Sequence, residues 1–218
     1  MFLFKLFSRK TISDIPSPPL EELRKRARIL VVDDDENSFP VELLKKEGYA
    51  IDYWPKIESL SKLERGDYDI IILDIGGVAK EYSSEDGLGV LEHLKEVNPS
   101  QIVVAFSGQS FDLSKNRFWQ LADDSLSKPV DATKCKRMID NLLQTKMTLQ
   151  NYWQAAVQIL KAEGVNDNKI KNLEKKVVDT IQRKEKTDVQ TMLNSVCDNT
   201  DITVRLIKVV MKIIAIFG

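Results

Sequence analysis

Four bulky apolar residues, Ile70-Ile71-Ile72-Leu73, run into a carboxylate, Asp74, and the chain then reaches a glycine pair, Gly76-Gly77. A strand with one wet face alternates apolar and polar residues. This run does not alternate, so it reads as a strand buried on both faces, as in a parallel sheet covered by helices. The acid then stands at the carboxyl end of the strand, the edge where open α/β sheets bind ligands.

The same pattern recurs from Arg28 to Gln144. Strand-like runs fall at Ile29-Leu30-Val31-Val32, Ala50-Ile51-Asp52-Tyr53-Trp54, Ile70-Ile71-Ile72-Leu73, Ile102-Val103-Val104-Ala105-Phe106 and, more weakly, Ser125-Leu126-Ser127. Helical patterns lie between them near 38–47, 57–65, 86–97 and 112–121, and another follows from Asp131 to Lys146. Alternating β and α units of this size predict right-handed crossovers and an α/β fold, a doubly wound five-stranded parallel sheet of flavodoxin-like topology.

A parallel sheet gathers its carboxyl strand ends on one edge, so the residues there are expected to converge. They are Asp33-Asp34-Asp35, Asp74, Ser107-Gly108 and Lys128-Pro129. Several carboxylates at close quarters repel unless a cation joins them, and a hard cation with oxygen ligands, Mg²⁺, is the expected one. A lysine adds a mobile point charge for phosphate oxygens, and a serine hydroxyl one more hydrogen bond. The set suits phosphoryl transfer to an aspartate.

In these residues the sequence resembles the receiver domains of two-component response regulators. The resemblance covers Arg28 to Gln144 and rests on Val31-Val32-Asp33-Asp34, Leu73-Asp74, Phe106-Ser107-Gly108 and Lys128-Pro129, four signatures in the expected order. It implies that Asp74 is the phospho-acceptor and that Asp33, Asp34, Asp74 and the backbone carbonyl of Gly76 hold Mg²⁺. It implies Ser107 as the switch hydroxyl and Lys128 as the phosphate-sensing cation, ahead of a cis proline bond. The expected partner is a sensor histidine kinase or a phosphotransfer protein in a phosphorelay. Such a chain is a kinase substrate rather than an enzyme, with at most slow autodephosphorylation. Two departures concern the output. Ser125 stands where the family has Tyr or Phe, and the stretch Ile75 to Glu85 is longer and more polar than the family's turn.

The flanks are read from the residues alone. Met1 to Lys10 is apolar and then basic, the reverse of a secretory signal, and is expected to dock on the protein's own helices or on a membrane surface. Ile15-Pro16-Ser17-Pro18-Pro19 is an extended linker and Glu21 to Arg26 a charged lead-in, which sets 1–27 apart from a receiver domain at 28–146. Residues 147–218 carry apolar stripes at helical spacing: Leu149, Tyr152, Trp153, Ala156, Val157 and Leu160, then Ile170, Leu173, Val177 and Ile181, then Val189, Met192, Leu193 and Val196. A nearly apolar stretch, Ile202 to Phe217, is interrupted by Arg205, Lys208 and Lys212. This region is expected to be an all-α helical domain that binds a protein partner or a second copy, with membrane-surface contact through 1–10 and 202–218 as the alternative.

Composition closes several routes. The net charge is −1, and residues 147–218 hold 11 Lys or Arg against 8 Asp or Glu, too slight an excess to mark a nucleic-acid surface. Cys135 and Cys197 show no disulfide or CxxC spacing, which suits a reducing cytoplasm, and both read as small buried hydrophobes. His93 is the one histidine, which excludes multi-histidine metal sites, and is expected on a helix surface. The leading function is a phosphorylation-dependent signalling switch. An unphosphorylated receiver-like scaffold is the alternative, with a DNA-binding or membrane-associated regulator behind it.

Overall fold

A computed structural model of the chain describes residues 11–108, 116–183, 189–194 and 200–217. Val196 and Cys197, and with them the segments 1–10 and 109–115, lie outside the described residues. The chain forms two compact units, Pro19–Thr148 and a second made of the chain up to Pro18 with Leu149–Gly218.

In the first unit the strands are β1 (Arg28–Val32), β2 (Ala50–Trp54), β3 (Ile70–Asp74), β4 (Ile102–Ser107) and β5 (Asp124–Ser127). All pairings are parallel, in the order β2-β1-β3-β4-β5. This is the flavodoxin-like order, and it reverses between β1 and β3. All residues of β3 and β4 are buried, as the absence of alternation requires. Register pairs Val32 with Leu73 and Asp74 with Phe106, bringing the ends of β1, β3 and β4 level.

The helices of this unit are α1 (Leu20–Arg26), α2 (Val41–Lys46), α3 (Leu60–Arg65), α4 (Gly87–Val97), α5 (Asn116–Leu121) and α6 (Ala132–Thr145). Their apolar faces close on the sheet. Leu63, Val90, Leu91, Leu94 and Phe118 share one core with Leu30, Val32, Ile71, Leu73, Val103 and Ala105. The helix expected from residue 38 starts at Val41 instead, because Pro40 disfavours helical geometry at Phe39 and takes the cap position itself. His93 is half-exposed on α4, and its Nε2 lies 2.6 Å from Glu64 on α3. Cys135 is fully buried, and burial pushes its thiol up to about 12.

The charged lead-in proves to be helix α1, which lies against α6 and β2. It buries only Leu23 and is fastened by Arg24, whose guanidinium gives two hydrogen bonds to Asp140, at 2.9 and 2.6 Å. The Tyr49 hydroxyl donates to the same carboxylate, and Arg24 lies over the Tyr49 ring, 5.2 Å from its centroid. Burial alone would raise the Asp140 pKa, but Arg24 and Tyr49 outweigh it and hold the carboxyl below its ordinary range. A depressed folded pKa gives stability that is complete above the unfolded value, about 4, and is lost as pH falls through the folded one. Asp140→Asn is therefore expected to cost about 1.5–3 kcal/mol at pH 7. Its deficit in melting temperature should shrink below about pH 4, where the wild type loses the ionised partner. A deficit that does not change between pH 7 and pH 3 would count against this account.

The second unit holds a 3₁₀ turn at Ile12–Asp14 and the helices α7 (Leu149–Ala162), α8 (Asp167–Arg183), α9 (Val189–Asn194) and α10 (Thr200–Phe217). Gly164 follows α7 and returns its amide to Lys161, as a helix stop does. The 3₁₀ turn packs on α7, with Ile12 buried and its amide donating to Glu174 of α8 at 3.2 Å. Helix α10 packs against α7, α8 and α9 and buries Leu206, Val209, Val210, Ile213 and Ile216. Of its cations Arg205 is exposed and Lys208 half-buried, whereas Lys212 is buried. Val204 and Met211, seven residues apart, are exposed. Among the described residues no helix is long and apolar enough to cross a membrane.

Candidate functional site

The strand ends meet where the sheet order reverses. Asp33 follows β1 and is fully buried, Asp74 closes β3 at 7% exposure, and Asp34 is exposed. One carboxylate oxygen from each of the three lies within 4.8 Å of the others. Lys128, the residue after β5, places Nζ 2.7 Å from Asp74 Oδ2 and 2.6 Å from Asp33 Oδ2. Its Nζ lies over the buried Phe106 ring, 4.9 Å from the centroid, so a π face also meets the cation.

The remaining contacts of each group define its freedom. Asp33 Oδ1 accepts from the Asp35 amide at 2.9 Å, and the Tyr53 hydroxyl donates to the Asp33 carbonyl. Among the described residues Asp74 Oδ1 accepts only a long bond, 3.4 Å, from the Gly76 amide. Ser107 is buried at the end of β4, pairs with Ser127 in register, and its carbonyl accepts from the Lys128 amide at 2.9 Å. The Lys128-Pro129 bond is cis. Above the site Gly76 is open, since a Cβ there would meet nothing within 4 Å.

Electrostatics favour an added cation. Burial lifts the Asp74 carboxyl above the usual carboxylate range; Lys128 pulls it back and Asp33 pushes it up again. Burial lowers the Lys128 ammonium, but Asp33 and Asp74 more than compensate, and it ends above its ordinary value. Three carboxylates face one ammonium. Asp33 Oδ2 is fully shielded from water and faces Lys128 Nζ at 2.6 Å. Three carboxylates that bring one oxygen each to a common point form an all-oxygen donor set that fits a hard divalent cation such as Mg²⁺.

The loop between β3 and α4 is built into the domain. Ile75, Val78 and Ala79 are buried in the core, the Ile57 amide donates to the Val78 carbonyl at 2.9 Å, and Lys56 pairs with Glu81 at 2.6 Å. Three apolar residues thus anchor a stretch that is longer and more polar than the family's turn. Two elements missed in the sequence shape this loop. Asp86 takes φ 54° and ψ −130°, a conformation that suits glycine and costs another residue about 1–3 kcal/mol. Gly87 packs so closely on β3 that a Cβ would lie 2.3 Å from the Asp74 carbonyl oxygen. The adjacent Asp86-Gly87 pair, a common turn dipeptide, was the available signal.

Fold and site together define a flavodoxin-like domain with an acid–lysine centre at the switch point of its sheet. No family model and no curated protein matches the sequence. Solved structures similar to this chain are receiver domains. A CheY-like response regulator receiver domain protein from Methanospirillum hungatei is 23% identical, over 56% of this chain and 96% of that one, with a TM-score of 0.48. A two-component response regulator from Clostridium difficile is 24% identical, over 55% and 97%, at 0.46. The receiver domain of NtrX from Brucella abortus is 26% identical, over 54% and 98%, at 0.45.

Proposed function

We propose that residues 28–146 form a phospho-accepting switch in a two-component relay, with Asp74 as the acceptor. One observation carries the reading: Lys128 Nζ lies within 2.7 Å of both Asp74 and Asp33, while Asp74 Oδ1 accepts, among the described residues, a single 3.4 Å bond from the Gly76 amide. An Asp74 oxygen attacks the phosphorus of the donor, the bond from phosphorus to the donor's leaving atom breaks, and its electron pair departs with the donor. Lys128 holds the charge that gathers on the phosphoryl oxygens, so the site works by placement and electrostatics. Mg²⁺ held by Asp33, Asp34, Asp74 and the Gly76 carbonyl would supply further charge neutralisation there.

The product carries nearly two negative charges and three acceptor oxygens at a strand end that had one charge. Ser107 donates to the new oxygens and so links the phosphoryl group to the end of β4. The donor is a sensor histidine kinase or phosphotransfer protein, and the chain itself catalyses at most the slow loss of its phosphate. The helical unit at 147–218 carries the output to a protein partner. Ser125, exposed on β5, offers no aromatic ring to relay the change, so the output path differs from one built on a rotating tyrosine.

The test is intact-mass measurement after incubation with acetyl phosphate and MgCl₂. The expected result is a gain of one phosphoryl group that is absent in Asp74→Ala. No gain with acetyl phosphate or with any histidine kinase tried would sink the proposal and leave an unphosphorylated scaffold as the function.

A further inference from the structure

Asp86 occupies the cap position of α4, where a carboxylate ordinarily accepts hydrogen bonds from the first amides of its own helix. It makes no such bond. Its side chain reaches back instead to the amides of Gly77 and Ala79, each at 2.6 Å. The chain adopts its glycine-like backbone at Asp86 with a residue whose carboxylate is spent entirely on the loop beside Asp74.

The Gly77 amide matters because it shares a peptide plane with the Gly76 carbonyl. In a trans peptide N–H and C=O point in opposite directions. A carboxylate that fixes the Gly77 N–H on one side therefore fixes the direction of the Gly76 oxygen on the other. The same residue touches the acidic cluster from its far side. Gly77 has φ 88°, and a Cβ on it would lie 2.6 Å from Asp34 Oδ2, so the Asp34 carboxylate rests directly on the Gly77 backbone. Gly87, next in sequence, donates its amide to the Ile75 carbonyl at 3.1 Å and holds the other end of the turn.

We infer that Asp86 is a positioning residue for the cation site: through the Gly77 amide it sets the Gly76 carbonyl and the seat of Asp34, and so tunes Mg²⁺ affinity without touching the ion. The inference rests on the phospho-acceptor reading above. Partners of this kind behind metal ligands are typically worth about 10–100-fold in affinity.

The test is calorimetric titration of MgCl₂ into the full chain without phosphodonor, with melting of the metal-free proteins alongside. Asp86→Gly keeps the backbone conformation, relieves its strain and removes only the carboxylate. It is expected to bind Mg²⁺ about 10-fold or more weakly, while relief of backbone strain offsets part of the stability lost with the two hydrogen bonds and the metal-free chain still folds. Asp86→Asn retains one acceptor oxygen and should fall between the two. Mg²⁺ affinity in Asp86→Gly within about twofold of wild type overturns the inference, given the 10–100-fold expected of such partners. Should that variant fail to fold, an unchanged affinity in Asp86→Asn overturns it equally. Asp34→Ala separates the two levels. If the wild type binds Mg²⁺ and Asp34→Ala does not, while Asp86→Gly is unaffected, only the role of Asp86 fails; if the wild type binds none, the cation site fails with it.

Discussion

Gly87→Ala is expected to lower the free energy of unfolding by about 3 kcal/mol or more and to abolish efficient phosphoryl acceptance at the same time. The added Cβ would lie 2.3 Å from the Asp74 carbonyl oxygen, 3.0 Å from Ile75 Cα and 3.1 Å from the Ile75 oxygen. All three are backbone atoms of β3 or the residue after it, so no side chain can rotate away. Either α4 retreats and opens the core at Val90, Leu91 and Leu94, or the strand end shifts and takes the Asp74 carboxylate with it. Urea unfolding and acetyl phosphate labelling read the two effects separately. Gly76→Ala is the matched control, because its Cβ would enter open space. It should leave stability nearly unchanged. Equal stability for the two variants would refute the packing argument.

Lys128→Met is expected to reduce the rate of phosphoryl transfer by about 100-fold or more while the domain still folds. Methionine keeps an unbranched apolar side chain of similar length and removes the ammonium. Asp33 and Asp74 then face each other without the cation that both now contact within 2.7 Å. Removing one partner from a buried ion pair costs about 3–5 kcal/mol, and here the two orphaned carboxylates also repel. Part of that cost should return on adding MgCl₂, since a divalent ion can occupy the same field. Measured labelling rates within a few-fold of wild type would show that Lys128 has no part in the transfer.

The sheet was legible because its signal is simple. Apolar runs without alternation at β1, β3 and β4, each followed by a polar residue, mark the centre of the sheet, and parallel pairing with β5 then collects Asp33, Asp34, Asp74 and Lys128 at one edge. Other features were hidden for definite reasons. Helix α1 buries one side chain, Leu23, and is held by Asp140 and Tyr49, so no periodicity announces it. The loop after β3 reads as polar by composition, whereas three of its residues, Ile75, Val78 and Ala79, anchor it. The reach of Asp86 back to Gly77 depends on a turn conformation that spacing does not encode. The cations of α10 share a sequence stripe, but Lys212 is buried and Val204 and Met211 are exposed, because packing of that helix is set by the apolar residues around it.

Helix α1 has one further consequence. Strand order leaves β2 and β5 as the outer strands. An outer strand is a template on which another chain can add a strand of its own. On the β2 side α1 lies against the strand, fastened by Arg24 to Asp140. On the β5 side the strand is only four residues long, buries only Leu126 and runs directly into Lys128-Pro129. Neither margin of the sheet invites extension. Contacts made through helical faces and loops are side-chain specific, whereas backbone pairing at a sheet edge is indifferent to sequence.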